Sequence, residues 1–384
     1  MVTKRIALLG ATGSIGTSTL EVAQEQGISI AFASAHTDHA KLIDIAHKHS
    51  IPCLVLTGIS DTTLIAKLRQ QNPSLSIYAG EAELLSLLCG EDYDIALNAI
   101  TGSAGLRSSF CIMQQGKTLA LANKESLVMA GHLLTRLVKN KPILPVDSEH
   151  SAIFQCIGRH PNSEIRHLHI TASGGAFRDL PLSDFANIKP QEALSHPNWS
   201  MGAKVTLDSA TMFNKALEVI EAHWLFNLPY TQISAIMHPQ SIIHSLVEFI
   251  DGSFLAQLST PDMKLPILYA LSYPERVESE LVKTNLSKLK DLNFREIEPQ
   301  RYPLFYLGLE AAKSGGLMPT VMNAAVEAAS ALFLSGHIGF TDISGLVKTA
   351  LDNFTNIAEP DLETIIQTNT DVQQWVIGKL DVKR

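Results

Sequence analysis

Positive charge is in short supply. The 384-residue chain carries 30 Lys+Arg against 38 Asp+Glu, a formal net charge of −8. That balance excludes an overall field for nucleic acid or an anionic membrane and leaves only local basic pockets. Cysteine is scarce: Cys53, Cys89, Cys111 and Cys156 are far apart and form no CxxC pair. A zinc ribbon and a disulfide scaffold are thereby excluded, the usage fits a reducing compartment, and each cysteine reads as a buried apolar residue. No apolar run approaches the ~20 residues that span a bilayer. After Lys4 and Arg5 only residues 6–9 are apolar before Gly10, too short for a secretory leader, so a cytoplasmic protein is expected. There is no internal repeat and no low-complexity tract. What is present is a folding composition, 46 % hydrophobic and 18 % charged, at a length that suggests two to three domains.

The first 146 residues alternate between two periods. Short β-rich runs at 6–9, 28–33, 53–56, 95–99, 118–122 and 143–146 are separated by helical patterns near 14–26, 39–49, 104–114 and 124–139. Strand–helix alternation predicts crossovers and a parallel sheet covered on both faces. From residue 147 the texture changes. Residues 164–172 alternate charged and apolar, 233–248 and 253–258 read as further strands, and 212–225 as a helix between them. Residues 275–302 are charged and aperiodic. Beyond them the pattern is helical and alanine-rich. The expectation is an α/β protein: an N-terminal Rossmann-like nucleotide-binding domain (1–146), a central α+β domain on a mostly antiparallel sheet (147–274), a linker (275–302) and a C-terminal α-helical bundle (303–384).

The first strand runs into Gly10-Ala11-Thr12-Gly13-Ser14-Ile15-Gly16 directly before a helix. Glycines let the backbone approach a pyrophosphate, and the helix start adds N–H groups and positive dipole. The other reading is a tight turn with no ligand. The second strand ends Ser34-Ala35-His36-Thr37-Asp38. NAD sites place an acid at that end. Here Ser34, His36 and Thr37 suit a 2′-phosphate, with Asp38 further on, so NADPH is favoured over NADH. Asn123-Lys124-Glu125 follows the strand at 118–122, on the edge that faces the ligand crevice of such a sheet, or merely caps a helix.

Asp147-Ser148-Glu149 follows residues 143–146. If strand geometry persists, both carboxylates point to one side, where a hard cation such as Mg²⁺ or Mn²⁺ would relieve their repulsion. A solvated strand end reads equally well. The helix beginning near Thr211 places Asn214, Glu218 and Glu221 on one face, with Lys215 reaching Glu218. Ser209 before it reads as a phosphate-holding helix start, against the alternative of surface ion pairs. Ser173-Gly174-Gly175 is a turn able to aim N–H groups at an anion. His196-Pro197-Asn198-Trp199-Ser200-Met201-Gly202 reads as a lid, or as a loop whose Trp folds inward. His39 and His47 have no partner at metal-ligand spacing, and His238 and His244 read first as structural.

The segments LGATGSIGTSTL, ALANKESLVMAG, PVDSEHSAIFQC, TASGGAFRD, HPNWSMG, DSATMFNKALEVIEAHWLF, MHPQSIIHSLVEF and LMPTVMNAA together resemble the 1-deoxy-D-xylulose 5-phosphate reductoisomerase family, in order, from residue 9 to 325. The resemblance implies an NADPH- and divalent-metal-dependent enzyme. It would isomerise and reduce 1-deoxy-D-xylulose 5-phosphate to 2-C-methyl-D-erythritol 4-phosphate, in the non-mevalonate route to isoprenoid precursors. It implies a homodimer and one Mg²⁺, Mn²⁺ or Co²⁺ held by Asp147, Glu149 and Glu218. It implies a phosphate site at Ser173, Ser209, Asn214 and Lys215 with His196 beside it, and sugar contacts from Lys124, Ser148, Glu149 and Glu218. NADPH contacts are implied at Thr12, Gly13, Ser14, Ile15, Asn123, Glu125 and Gly202, and at the 2′-phosphate segment Ala35, His36 and Thr37. That last segment departs from the Gly-Lys-Asn usual in the family. Two other readings stay open on the residues alone. One is a semialdehyde dehydrogenase, which needs a reactive cysteine such as Cys156. The other is a non-catalytic NADP-binding sensor.

Overall fold

The computed structural model describes residues 4–138, 142–194, 199, 202–289 and 291–379. They form two compact units: residues 4–123, 134–138, 142–151 and 262–283 make the first, and residues 124–133, 152–194, 199, 202–261, 284–289 and 291–379 the second.

The first unit is built on a seven-stranded parallel sheet. Its strands are β1 (Arg5–Leu9), β2 (Ser29–Ala35), β3 (Cys53–Leu56), β4 (Ser76–Ala79), β5 (Ile95–Asn98), β6 (Thr118–Leu121) and β7 (Ile143–Pro145), in the order β4-β3-β2-β1-β5-β6-β7. Ile6, Ala7, Leu8 and Leu9 are wholly buried, as an apolar strand covered on both faces must be. The crossovers are α1 (Ser14–Gln26), α2 (His39–His49), α3 (Thr62–Gln71), α4 (Glu81–Gly90) and α5 (Leu106–Gln114), followed by α6 (Lys124–Arg136) and α7 (Ser148–Ile157). The sequence reading missed α3, β4 and α4. The order reverses direction between β1 and β5, and such a switch point opens a ligand crevice beyond the strand ends. Residues 275–283, expected as linker, are tied back to α1: Ser279 Oγ donates to Glu25 and Gln26 Nε2 donates to the Glu278 carbonyl, at 2.6 and 2.9 Å.

The second unit carries a four-stranded sheet of β8 (Ile165–Ala172), β9 (Ile233–Met237), β10 (Ile243–Phe249) and β11 (Phe254–Leu258), in the order β11-β10-β8-β9. It is mixed. β10 pairs antiparallel with β8 and β11, whereas β8 and β9 run parallel. They are parallel because the connection between them contains three helices, α8 (Pro190–Ala193), α9 (Ala203–Ala210) and α10 (Phe213–Phe226), and not a hairpin. α11 (Lys264–Ser272) belongs to the first unit. The chain then ends in four helices: α12 (Pro303–Ser314), α13 (Met318–Leu334), α14 (Asp342–Asn353) and α15 (Leu362–Gly378). Ala216 of α10 meets Gly308 of α12 so closely that a Cβ on that glycine would lie 2.4 Å from the alanine methyl. Small residues thus let α10 enter the core, which is where its polar residues become buried.

Candidate active site

In the first unit the glycine turn has its shape for steric reasons. Gly10 has φ +81°, and a Cβ there would lie 2.6 Å from the Ala99 carbonyl oxygen beyond β5. At Gly16 a Cβ would lie 2.5 Å from the Ala11 carbonyl, so α1 can start against the strand only without one. Gly13 caps α1 with no side-chain hydrogen bond and no acid in the first turn, and Gly13 and Ser14 are exposed. The Gly13 N–H donates to the Gly10 carbonyl at 3.1 Å, which closes the turn, and residues 12–15 present the positive start of α1, a cradle that fits a dinucleotide pyrophosphate.

At the end of β2, Ala35 is buried while His36 and Thr37 are exposed. The His36 ring lies over Gly58, with Nδ1 3.3 Å from Thr57 Oγ1. Asp38 is committed elsewhere: its carboxylate accepts the Lys41 backbone N–H at 3.1 Å and caps α2. The Lys41 ammonium donates to the Thr12 carbonyl in the glycine turn at 2.7 Å. Sequence reasoning overlooked Lys41 because it sits a full turn beyond the strand end. Its only sequence signal was a cation in the first turn of α2. Asn123 is buried and donates from Nδ2 to the carbonyls of Ile100 and Gly102, both at 2.7 Å, fixing the turn after β5.

Asp147 and Glu149 do not lie along one strand, as the strand expectation had it. β7 stops at Pro145, and the Asp147 carbonyl accepts the Ser151 N–H at 2.8 Å, so the chain has already turned into α7. Glu149 is in the first helical turn, where an acid suits the helix dipole. Ser148 Oγ donates to Glu149 Oε2 at 2.6 Å, and Asp147 Oδ2 is buried.

The second unit gathers more of the candidates. Glu218 on α10 is fully buried. It receives Lys215 Nζ at 2.5 Å, Asn214 Nδ2 at 2.5 Å and Lys124 Nζ at 3.3 Å, and Lys124 also donates to Asn214 Oδ1 at 2.9 Å. Two ammonium groups and an amide thus converge on one buried carboxylate, which satisfies its charge with charge-assisted hydrogen bonds. Ser209 is not at a helix start: it lies in the last turn of α9, and α10 begins after Met212, whose φ of +60° turns the chain. The Ser173 turn nonetheless reaches it. Gly174 and Gly175 have φ of +85° and +68°, and a Cβ on Gly175 would lie 2.4 Å from the Ser209 carbonyl oxygen. The expected phosphate residues 173, 209, 214 and 215 thus all belong to the second unit, with Gly175 of the Ser173 turn packed on the Ser209 backbone.

Glu125 is held by Lys204, a residue the sequence reading did not single out. Lys204 Nζ lies 3.0 Å from Glu125 Oε1 and 2.8 Å from Asp208 Oδ2. Burial is the largest single influence and works to raise the Glu125 pKa, but Lys204, a backbone hydrogen bond and Lys124 together hold this carboxyl below the usual range. Burial pushes Asp208 up, only partly offset by the same ammonium. His196, with residues 197, 198, 200 and 201 of the expected lid, lies outside the described residues. Trp199 faces His244 at 6.1 Å between ring centroids, and Gly202 caps α9. His238 is structural as expected: Nδ1 faces the Asn293 carbonyl at 2.9 Å and Nε2 accepts from Ile242 and Ile243, each at 3.2 Å. His47 is paired with Asn72 at 3.0 Å.

Comparison with known proteins covers nearly the whole chain. Models described as 1-deoxy-D-xylulose 5-phosphate reductoisomerase, 1-deoxy-D-xylulose 5-phosphate reductoisomerase C-terminal domain and DXP reductoisomerase C-terminal domain match residues 6–131, 143–226 and 258–375. Two relatives carry the name 1-deoxy-D-xylulose 5-phosphate reductoisomerase. One, from Exiguobacterium sibiricum, is 43 % identical over 97 % of this chain and 98 % of its own. The other, from Listeria monocytogenes, is 44 % identical over 97 % of this chain and 99 % of its own. A crystal structure of DOX-P reductoisomerase in complex with NADPH, fosmidomycin and magnesium superposes with a TM-score of 0.92 at 37 % identity, covering 99 % of this chain and 98 % of that one. The Zymomonas mobilis 1-deoxy-D-xylulose 5-phosphate reductoisomerase in complex with NADPH gives 0.89 at 38 % identity, covering 98 % and 99 %.

Proposed function

The chain belongs to the 1-deoxy-D-xylulose 5-phosphate reductoisomerase family, and from that premise we propose that it isomerises and reduces 1-deoxy-D-xylulose 5-phosphate to 2-C-methyl-D-erythritol 4-phosphate with NADPH and a divalent cation. The observation that carries this reading is the 43 % identity to a relative of that name over 97 % of the chain. The enzyme is an NADPH-dependent oxidoreductase that also rearranges a carbon skeleton. Thiol chemistry of the semialdehyde-dehydrogenase kind and a non-catalytic sensor both fall away with the family assignment.

Thr12, Gly13, Ser14 and Ile15 hold the pyrophosphate of NADPH; Ala35, His36 and Thr37 border its 2′-phosphate; Asn123, Glu125 and Gly202 border its nicotinamide half. Lys41 supplies the permanent cation that the Ala-His-Thr segment lacks. Asp38 lies three residues beyond the end of β2, with Oδ1 engaged as the cap of α2, and no acid stands at the strand end itself, which supports NADPH over NADH. Replacing Lys41 by alanine should weaken NADPH binding by roughly tenfold or more, the scale of one charge-assisted contact. NADH binding should fall much less, since it loses only the Lys41 support of the Thr12 carbonyl. Fluorescence titration of both nucleotides checks this, and equal losses for the two would sink the assignment.

Asp147, Glu149 and Glu218 are the cation's ligands: hard oxygen donors of the kind Mg²⁺ and Mn²⁺ take. When bound, the cation supplies Lewis-acid polarisation of the ketose oxygens, and NADPH supplies the hydride. Ser173, His196, Ser209, Asn214 and Lys215 hold the phosphate, and Lys124 and Ser148 orient the sugar. Phosphate binding contributes no bond-making. Its energy fixes the reacting atoms, and Trp199 with the segment around it excludes water from the reactive aldehyde stage. Lys215→Ala should chiefly raise KM for the phosphorylated substrate. The test of the reaction itself is the product: carbon NMR should show a methyl on a fully substituted carbinol carbon, and an unbranched polyol phosphate would contradict the reading.

The active species is a homodimer in the cytoplasm. No helix among the described residues is long and apolar enough to cross a membrane. β11 is an edge strand on which Phe254 and Leu255 are 52 % and 46 % exposed, a surface that a second copy would cover.

A further inference from the structure

Four cysteines that look isolated in sequence are not all isolated in space. Cys53 is buried on β3, its thiol pushed up to about 11 by burial. Cys156 lies on α7, in the second unit. Cys89 and Cys111, 22 residues apart, meet. Cys89 is exposed in the last turn of α4, Cys111 is partly buried in α5, and the two helices pack together within the first unit. Their sulfurs lie 3.3 Å apart, so about 1.3 Å of approach separates them from a covalent S–S bond near 2.05 Å. Each sulfur is carried on a short side chain that turns about χ1, the motion that would bring the pair to bonding distance.

We propose that Cys89 and Cys111 form an oxidisable dithiol, a modification site whose co-substrate is a small disulfide of the glutathione class. The two thiols divide the labour by their surroundings. Cys89 is accessible and meets the oxidant. Cys111 is shielded, and burial first, then its contact with Cys89, keeps its thiol protonated well above the usual range. Cys89, as thiolate, attacks one sulfur of the incoming disulfide and expels one small thiolate, leaving a mixed disulfide. Cys111 then gives its proton to solvent and attacks the Cys89 sulfur, expelling the second small thiolate. The protein loses two electrons and two protons; the small disulfide gains them as two thiols. The product is an intramolecular bond from α4 to α5.

The bond has a defined structural consequence. α5 follows directly from the 3₁₀ turn Gly102–Gly105, and the same turn receives Asn98 Nδ2 at Gly105 and Asn123 Nδ2 at Gly102. Oxidation therefore ties the segment beside the nucleotide crevice to α4 and closes a loop of some twenty residues, which restricts the unfolded chain.

The test uses the full-length protein, reduced and then incubated with glutathione disulfide. Thiols titrated in denaturant should fall from four to two. Peptide mapping should join the Cys89 and Cys111 peptides with no glutathione retained, and Tm should rise by roughly 5 °C. Cys111→Ser should instead trap a stable glutathione adduct on Cys89. Cys53→Ser should still lose two thiols. Four titratable thiols after incubation would overturn the proposal. So would a wild-type adduct that never resolves, or a bond joining either cysteine to another partner.

Discussion

Gly10 shows how one absent atom can set up a binding site. With φ at +81° and the Ala99 carbonyl 2.6 Å from where a Cβ would stand, Gly10→Ala forces the β1–α1 turn away from β5. The expected cost is about 1–3 kcal/mol of stability together with a loss of NADPH affinity, read by thermal melting and nucleotide titration. This residue was legible in the sequence because position, spacing and the strand-to-helix context of the glycine turn agree. Lys41 and Lys204 were not. Neither belongs to a motif, and each acquires its partners only when the chain folds: Thr12 for the first, Glu125 and Asp208 for the second. Lys204→Met tests the second group. It leaves two buried carboxylates without their ammonium and should cost about 3 kcal/mol at neutral pH. In the wild type Glu125 is held below the usual range, so its contribution is present above about pH 4.5 and fades as pH falls through its lowered pKa. Asp208, raised, acts in the opposite sense: it favours the protonated form, and its contribution is lost as pH rises through its raised pKa. In Lys204→Met both carboxylates lose the charge that lowered them, so both pKa values rise. The deficit should therefore be largest near pH 7 and shrink below about pH 5. Urea melts across that range check the sign, and a deficit that grew on acidification would contradict it.

Elements were read correctly where a period was long or a turn was emphatic. α1 and α10 stand within a residue of where their apolar spacing put them, and the continuous apolar run of β1 became a buried central strand. β4 escaped notice because it is four residues long and only Ile77 of them is buried. α3 escaped because its apolar face amounts to Ile65 and Leu68. Yet α3 had announced its start: the Asp61 carboxylate accepts the N–H groups of Thr63 and Leu64 at 2.8 and 3.1 Å. Asp61→Ala should cost about 1 kcal/mol in chemical denaturation, the usual worth of such a cap, with NADPH affinity unchanged. The strand reading at Asp147 and Glu149 failed for a related reason. Alternation over three residues cannot separate a strand end from a helix start, and Asp147 turns the chain by accepting the Ser151 N–H. The residue types were legible there, their geometry was not. Ser209 repeats the lesson, since a serine shortly before a helix turned out to close the preceding one.

At the scale of the molecule each unit presents a polar arrangement of its own. The first unit presents the glycine turn at the switch point of a parallel sheet, which suits a nucleotide. The second buries Glu218 under Lys124, Asn214 and Lys215 and folds the Ser173 turn onto Ser209, which suits a phosphorylated polyol. A reductoisomerase needs both, because the carbon skeleton must be rearranged before a hydride has an aldehyde to reduce. The proposed homodimer is tested at the β11 edge: Phe254→Lys should shift the protein toward monomer in sedimentation velocity, and an unchanged sedimentation coefficient would contradict this edge as the interface. The central claim is that turnover needs substrate, NADPH and cation together. It is tested most directly by following NADPH absorbance with 1-deoxy-D-xylulose 5-phosphate, first with EDTA present and then after Mg²⁺ or Mn²⁺ is restored. The account predicts oxidation that stops with the chelator and resumes with the metal. Folded protein that leaves NADPH unoxidised with metal and substrate present, or that oxidises it equally in EDTA, would contradict it.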